Sequence, residues 1–221
     1  MLQLHYSPGN ASLIVHLVLE EVGVPFELRY VDRAQSAHKS AEYLALNPNG
    51  LIPVLVDDAS RGAAGAPLVL YETAAICLHL ADTHPAAALL PALATRERAH
   101  AYKWLAWCTN TLQATLAHYF YPERWADDDA GAAVVKALAE TKAGAMLDQI
   151  DAELARHGGP WFLGDRFSIV DPYTFVLCRW TRGFTRPARE LPHVKPWLDR
   201  MLARPAVQRA FATEKLGAPF V

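Results

Sequence analysis

The first 80 residues alternate between two patterns of apolar positions. The stretch 2–6 has apolar and polar residues in strict alternation, which predicts a strand. The stretch 13–18 repeats apolar residues with helical spacing, and Gly23 is placed to end that helix. Residues 26–30 alternate again as a second strand. A strand–helix–strand unit of this kind makes its two strands parallel, with a right-handed crossover.

The same region continues with one more helix and a pair of strands. Residues 40–46 fit a short helix, and 52–56 fit a third strand. The turn-rich stretch 57–67 then leads to a fourth strand at 68–71, so the last two strands should form an antiparallel hairpin. A helix with inward-facing apolar residues follows at 74–81. The predicted order is βαβαββα.

The pattern of apolar positions changes after this region. Residues 82–94 carry two prolines and no periodicity, which indicates a domain boundary. We expect a first domain over 1–82, a linker over 83–92 and an all-helical domain over 93–221, an α/β plus all-α fold. Helices are predicted near 95–119, 131–156, 168–182, 193–203 and 205–215. Ser168 to Asp171 fits a variant capping box, and that structural role explains it without a catalytic one.

Composition narrows the class of protein. About half of the 221 residues are hydrophobic, a fifth are charged and the net charge is −2, as in a packed globular protein. No basic stripe indicates a nucleic-acid partner, and no apolar run approaches the roughly 20 residues that cross a membrane. Cys77, Cys108 and Cys178 lie far apart in apolar helical settings without metal-ligand spacing, so we expect buried thiols and no metal. Without a signal-peptide pattern, these features indicate the cytoplasm.

Pro53 interrupts the third strand near its start. Proline donates no hydrogen bond to a strand ladder, but it is tolerated where the backbone turns outward toward a ligand. A cis bond between Ile52 and Pro53 would produce such a turn; the alternative is a trans proline at the first residue of the strand. In a small βαβαββα domain this proline is typical of the thioredoxin-like fold. That likeness implies that Ile52 offers its main-chain N–H and C=O to an extended thiol peptide.

Four segments together resemble those of one enzyme family, the cytosolic glutathione transferases. The similarity spans nearly the whole chain, and it has features of the bacterial beta and nu classes and of the phi class. The four segments are H-K-S-A-E-Y-L (38–44), N-P-N-G-L-I-P-V-L (47–55), Y-E-T-A-A-I (71–76) and F-S-I-V-D (167–171).

The resemblance implies a glutathione site in the first domain. Glu72 would pair with the ammonium group of the γ-glutamyl end, and Thr73 would donate to its carboxylate at the start of a helix. His38 and Lys39 would bind the glycyl carboxylate, while Ile52 and Pro53 would position the middle of the peptide. The alternatives are that Glu72 or Thr73 only caps a helix and that His38-Lys39 is a solvated basic pair.

The loop S-P-G-N-A-S (7–12) is the candidate sulfur end of this site. It aligns with the Ser-Pro-Gly-Ala-Cys-Ser loop of beta-class enzymes, whose cysteine falls on Ala11, so a mixed disulfide through that residue is excluded. A thiolate would instead need a helix N-terminus and a hydrogen-bond donor. Ser12 and Asn10 are the candidate donors, ahead of Ser7 and Tyr6, and Asn10 also resembles the nu-class loop. Either residue could equally serve as a helix cap.

The second domain would contribute the second-substrate site. By count along its first long helix, the beta-class histidine that reaches the thiol falls on Gln113. Asn110 and Gln113 share one helical face, and Tyr119 opens an aromatic stretch that would line an apolar site. An ordinary polar helix surface and an ordinary aromatic core are the alternatives.

These residues predict a glutathione transferase that adds the thiolate of glutathione to an electrophilic, mostly apolar small molecule in detoxification. Glutathione would be a co-substrate, and the resemblance implies a homodimer. The charge distribution and the lack of a spanning apolar run predict no nucleic-acid or membrane partner. Two other functions stay open. One is a glutathione-dependent disulfide reductase or isomerase, and the other is a non-catalytic binding or interaction module.

Overall fold

A computed structural model describes residues 1–61 and 65–221. Residue contacts divide it into two compact units: Met1–Leu89 with Arg204–Gly217, and Leu90–Ala203 with Ala218–Val221. The contacts of Arg204–Gly217 with the first unit were not anticipated from the sequence. The domain limits given above stay a prediction.

The first unit has the predicted βαβαββα order, which is confirmed. Its strands form one mixed sheet in the order β2-β1-β3-β4, with β1 parallel to β2 and antiparallel to β3, and β3 antiparallel to β4. The elements are β1 (Leu2–Tyr6), α1 (Ser12–Val22), β2 (Phe26–Tyr30), α2 (Ala41–Leu46), β3 (Val54–Arg61), β4 (Pro67–Tyr71) and α3 (Thr73–Thr83).

Strand β3 is longer than the alternation predicted. It continues through Asp57 to Arg61, with an irregular register before Arg61 meets Pro67. The expectation of a turn over 57–67 is therefore wrong for 57–61, and residues 62–64 lie outside the described part of the chain. The Asp57 carboxylate accepts hydrogen bonds from the backbone N–H groups of Ala59 and Ser60, which explains why turn-forming residues occur inside this strand.

Helix α1 is the centre of the first unit's core. It ends at Gly23, whose φ of 73° and N–H bond to Leu19 O (3.0 Å) form the expected left-handed cap. The first eight residues of α1 are all buried, because the helix contacts β1, α3 and α9 (Pro205–Thr213), a helix near the end of the chain. Arg204 holds Glu21 through two bonds of 2.5 and 2.7 Å, and this ion pair ties α9 to α1.

The second unit is helical and contains four of the five predicted helical segments, which are confirmed; the fifth, 205–215, is α9 in the first unit. A π-helical turn, Cys108–Gln113, joins α4 to α5 in one continuous helix. The helices are α4 (Arg96–Trp107), α5 (Ala114–Phe120), α6 (Asp129–His157), α7 (Val170–Trp180) and α8 (Val194–Leu202). Cys77 in the first unit and Cys108 and Cys178 in the second are buried free thiols, as expected.

Asp171 makes the capping box more than a local cap. Its Oδ2 accepts from Ser168 N (2.9 Å), and its Oδ1 accepts from Phe162 N (2.8 Å) and Trp197 Nε1 (3.1 Å). One fully buried carboxylate thus joins the start of α7 to the preceding loop and to α8. Burial raises the pKa of Asp171 to about 6, although all these hydrogen bonds favour the ionised form.

Among the helices of the described residues, none combines the length and the apolar composition that crossing a bilayer requires.

Candidate functional site

The register of the sheet brings three loop segments to one edge of the first unit. His5 of β1 lies opposite Val54 of β3, and Val54 lies opposite Tyr71 of β4. Strands β1 and β4 therefore end where β3 begins. The segments that meet at this edge are 7–12, 52–53 and 72–73.

Ser12 closes the first of these segments, the sulfur loop 7–12. Its Oγ donates to Ser7 O (3.0 Å) and accepts from Ser7 N (3.1 Å), and the Ser12 side chain is fully buried. Gly9 turns the chain between them with a φ of 67°. A hydroxyl has one proton, and that of Ser12 is bound to Ser7 O. The Ser12 side chain therefore holds the loop closed and has no second proton to donate.

Asn10 has a different set of contacts in the same loop. Its Oδ1 accepts from Ala11 N at 2.5 Å, which leaves the side-chain amide nitrogen as a donor. Neither that nitrogen nor the backbone N–H of Ser12, at the start of α1, has an acceptor among the described residues. The loop therefore presents N–H donors at a helix N-terminus, which favours an anion.

Glu214 supports the sulfur loop from the far end of the sequence. Its Oε2 accepts from Gly9 N (2.8 Å), and its Oε1 lies 2.8 Å from His16 Nδ1 of α1. Glu214 and His16 are both buried. Neither residue was identified as a candidate from the sequence, because no motif links two positions that are 198 residues apart.

Tyr6 and Ser7, the less favoured donors, are also fixed by their neighbours. Burial raises the pKa of Tyr6, and the nearby Glu214 and Tyr30 raise it further, so the phenol stays protonated at neutral pH. Its ring packs edge-on against the rings of His16 and Tyr30.

The Ile52–Pro53 peptide bond is cis, which confirms that prediction. The preceding carbonyl, Leu51 O, accepts from Tyr43 Oη and from Asn47 Nδ2, both at 2.8 Å. These two bonds fix the segment, while the main-chain N–H and C=O of Ile52 have no partner in the described ranges. An extended peptide could therefore pair with Ile52 as an added strand does.

Glu72 and Thr73 form the N-terminus of α3. Glu72 has a φ of 71° and a ψ of 109°, an unusual backbone conformation for a residue with a side chain, while its carbonyl accepts from Ile76 N (3.0 Å). The exposed Glu72 carboxylate has no cationic partner in the part of the chain that the structure describes. Thr73 is buried at the first helical position.

His38 and Lys39 lie on a short turn that packs against Gly50. A Cβ on Gly50 would lie 2.8 Å from Lys39 Nζ and 2.9 Å from His38 O, so a side chain there would displace this pair. Burial lowers the pKa of His38, and Lys39 and Arg33 lower it further, so His38 is neutral at pH 7. Lys39 is exposed and pairs with no carboxylate of the described residues.

The second-substrate candidates all lie on the long helix of the second unit. Asn110 is exposed on the π-helical turn, and Gln113 is half-buried, with Oε1 accepting from Tyr173 Oη at 2.6 Å. The Tyr119 hydroxyl donates to Gly183 O at 3.5 Å, and its ring packs on those of Phe120 and Phe184. Tyr173 was not singled out from the sequence, because its partner is 60 positions away.

No group of three or more His, Cys, Asp and Glu side chains that could hold a metal ion occurs within 1–61 and 65–221.

Two family models match the chain. The glutathione S-transferase N-terminal domain matches residues 10–83, and the corresponding C-terminal domain matches residues 108–205. The glutathione S-transferase GST-4.5 of Xanthomonas campestris pv. campestris is 34% identical over 97% of this chain and 100% of its own length. The disulfide-bond oxidoreductase YfcG of Escherichia coli K12 is 30% identical over 98% of this chain and 97% of its own.

Solved structures agree with the sequence matches. A glutathione transferase homologue from Sulfitobacter, crystallised with bound glutathione, superposes with a TM-score of 0.86 and 29% identity. That match covers 98% of this chain and 99% of the Sulfitobacter chain. The chain belongs to the glutathione S-transferase family.

Proposed function

We propose that the chain is a glutathione transferase that binds glutathione at the sheet edge of the first unit and adds its thiolate to an electrophilic, mostly apolar compound. The observation that carries the proposal is the meeting of three segments at that edge. One presents donors at a helix start, one an unpaired main-chain N–H and C=O, and one a carboxylate beside a second helix start.

Each part of the tripeptide has a matching group. The unpaired backbone of Ile52 suits the cysteinyl residue, and the free Glu72 carboxylate suits the γ-glutamyl ammonium. The first N–H groups of α3 at Thr73 suit the γ-glutamyl carboxylate. Lys39 suits the glycyl carboxylate as a point charge, since the neutral His38 brings no charge.

The thiol must lose its proton before it reacts. An ordinary thiol pKa near ~8.5 leaves only a few per cent thiolate at pH 7, and lowering it by about two units requires roughly 2.7 kcal/mol. A helix N-terminus supplies up to about 2 kcal/mol, and one hydrogen bond to an anion about 1.5–3 kcal/mol. The N-terminus of α1 and one donor are therefore sufficient.

We assign the donor to the side-chain amide of Asn10 and the holding of the loop to Ser12. The Ser12 proton is bound to Ser7 O, whereas the Asn10 nitrogen is unpartnered by any described residue. Ala11 has no sulfur, so the chain forms no mixed disulfide at that position.

Binding and turnover are tested separately. Retention on immobilised glutathione at neutral pH should be lost in Glu72→Gln and weakened in Lys39→Ala. Conjugation of 1-chloro-2,4-dinitrobenzene by the wild-type protein then tests transfer. Retention without conjugation of this or other aryl and alkyl halides would favour the non-catalytic binding module, and no retention would contradict the proposal.

A second candidate is reduction of disulfides with two glutathione molecules. The 30% identity to the disulfide-bond oxidoreductase YfcG favours this function, and a site without its own cysteine is compatible with it. The rates of turnover of bis(2-hydroxyethyl) disulfide and of 1-chloro-2,4-dinitrobenzene, measured at one glutathione concentration, distinguish the two functions. Turnover of the disulfide without turnover of the aryl halide would show that the protein is a reductase.

The family resemblance also supports a homodimer, which we propose as the working assembly. Sedimentation equilibrium should give twice the mass of the 24.4 kDa chain, and a monomer at micromolar concentration would contradict this assembly.

A further inference from the structure

The carbonyl of Leu51, just before the cis-proline segment, is held by two side chains from α2 and its end. Leu51 O accepts from Tyr43 Oη and from Asn47 Nδ2, both at 2.8 Å. Tyr43 is 5% exposed and Asn47 is 2% exposed, so water competes little with either hydrogen bond. A carbonyl oxygen has two lone pairs, and both are occupied here. The direction of the Leu51 carbonyl is therefore fixed.

The two donors are themselves fixed by their surroundings. The ring of Tyr43 packs in a buried cluster that also contains the side chain of Ile52. Burial raises the pKa of Tyr43, so its hydroxyl keeps the proton that it donates. The Oδ1 atom of Asn47 accepts from Asn49 N at 3.1 Å, which orients the carboxamide with its nitrogen toward Leu51 O. Both donors are in place before any ligand binds.

The direction of the Leu51 carbonyl also fixes the N–H group of the next residue. The C=O of Leu51 and the N–H of Ile52 belong to one peptide unit, which is planar and trans. In a trans unit the two groups point in opposite directions. Because the oxygen is held toward Tyr43 and Asn47, the N–H of Ile52 points away from them. This N–H has no acceptor among the residues that the structure describes.

We propose that Tyr43 and Asn47 are positioning residues of the glutathione site, which hold the N–H of Ile52 in the direction that meets the cysteinyl carbonyl of glutathione. The inference rests on the proposed function and gives a role to two residues outside the proposed ligand contacts. A donor that is oriented before binding loses little freedom when the ligand arrives, so its orientation raises the affinity. A purely structural role would lower the stability of the fold and leave the preference for a cysteinyl carbonyl unchanged.

The test uses a ligand that lacks the acceptor. In this analogue of glutathione, a trans carbon–carbon double bond replaces the amide between the cysteinyl and glycyl residues. The analogue keeps the thiol and every charge of glutathione but has no cysteinyl carbonyl. It also lacks the glycyl N–H, a difference that is the same for every variant compared. The ratio of the two dissociation constants, measured by calorimetry on the full-length protein, reports the hydrogen bond from Ile52.

Two variants each remove one of the donors to Leu51 O. Tyr43→Phe removes only a hydroxyl and keeps the ring in its cluster. Asn47→Asp keeps an acceptor for Asn49 N but removes the donor nitrogen. The charge that this change adds acts equally on the two ligands, because they carry equal charges.

Two controls match these changes elsewhere in the first unit. Tyr30→Phe removes a hydroxyl from an exposed ring of β2. Cys77→Ala removes a fully buried thiol from α3, so it shows the effect of lost packing alone.

We expect the wild-type protein to bind glutathione about tenfold more tightly than the analogue, as for one hydrogen bond. Tyr43→Phe and Asn47→Asp should reduce this ratio to about threefold, because glutathione loses affinity and the analogue does not. Both controls should keep the wild-type ratio, even where Cys77→Ala unfolds at a lower urea concentration.

An unchanged ratio in Tyr43→Phe overturns the inference while glutathione binding still stands. A wild-type protein that binds the two ligands equally overturns it as well, because the N–H of Ile52 then does not meet the cysteinyl carbonyl. If the wild-type protein binds neither ligand, the proposed function fails together with the inference.

Discussion

Glu72 combines an unfavourable backbone conformation with a free carboxylate. Its φ of 71° and ψ of 109° are tolerated by glycine but strained for other residues, at a cost of order 1–3 kcal/mol. Strain of this kind is retained where a side chain is needed for function. The proposed pairing with the γ-glutamyl ammonium supplies that need.

We therefore expect Glu72→Gly to increase the free energy of unfolding by about 1 kcal/mol while abolishing retention on glutathione. Urea unfolding followed by circular dichroism measures the first effect. Glu72→Gln is the control, because it removes the charge and keeps the strain. A Glu72→Gly protein less stable than Glu72→Gln would contradict the assignment of strain.

Asp57 is a second residue whose surroundings predict a measurable effect, a dependence of stability on pH. Burial alone would raise the pKa of its carboxyl, but hydrogen bonds from His79 Nε2 (2.9 Å), Ser60 Oγ (2.7 Å) and two backbone N–H groups lower it to about 2. Because the folded-state pKa lies below the ordinary value of 3.8, the ionised carboxyl stabilises the fold above pH 4. This stabilisation is lost as the pH falls toward 2.

The difference in free energy of unfolding between the wild-type protein and Asp57→Asn should therefore shrink by about 2 kcal/mol between pH 5 and pH 2. Urea titrations at a series of pH values measure it, with Asp58→Asn as the neighbouring control. A difference that stays constant with pH would show that Asp57 acts through its shape and not its charge.

At the scale of elements, the C-terminal segment after α9 supports the sulfur loop. The buried Glu214 carboxylate binds both Gly9 N and His16 Nδ1, so its removal leaves two buried polar groups without their partner. Removing one member of such a buried pair usually costs about 3–5 kcal/mol, whereas an exposed ion pair contributes about 0–1 kcal/mol.

Glu214→Ala should consequently lower the free energy of unfolding by about 3 kcal/mol and raise the KM for glutathione, because the loop loses the anchor at Gly9. Arg209→Ala is the matched control, since it breaks the more exposed ion pair between α9 and Glu20 and should cost less than about 1 kcal/mol. Equal losses in the two variants would contradict the anchoring role of Glu214.

The element order was predictable because it depends on local periodicity. Alternation at 2–6 and helical spacing at 13–18 lie within single segments, and Gly23 ends α1 by its own backbone freedom. The contact between Gly9 and Glu214 spans 205 positions, and only folding brings those residues together. The extension of β3 to Arg61 was missed because hydrogen bonds to Asp57 accommodate residues that usually form turns.

The candidate site was predictable to a similar degree. The motif resemblance named the residues, and the register of β1, β3 and β4 explains why their segments adjoin. The sequence could not divide the roles of Ser12 and Asn10, because both are good donors and good caps. The proposed division rests on one contact, the bond from Ser12 Oγ to Ser7 O, which depends on three-dimensional geometry.

At the scale of the whole molecule, the proposed transferase function requires a thiolate of glutathione, which we place in the first unit, and an electrophilic second substrate. The family models match both parts of the chain, residues 10–83 and 108–205. The proposal gives the side-chain amide of Asn10, which has no acceptor among the described residues, the task of stabilising the thiolate. Asn10→Ala should therefore reduce kcat for every electrophile, because every such reaction uses the same thiolate.

The central claim is that Asn10 and the start of α1 stabilise the thiolate of bound glutathione. The most direct measurement is the ultraviolet absorbance of the bound thiolate as a function of pH in the wild-type protein, Asn10→Ala and Ser12→Ala. We expect an apparent pKa about two units below ~8.5 in the wild-type protein and a rise of about one unit in Asn10→Ala. Ser12→Ala should raise the pKa less. A thiol that titrates at its ordinary pKa in the wild-type protein, or equally in the wild-type protein and Asn10→Ala, would contradict the account.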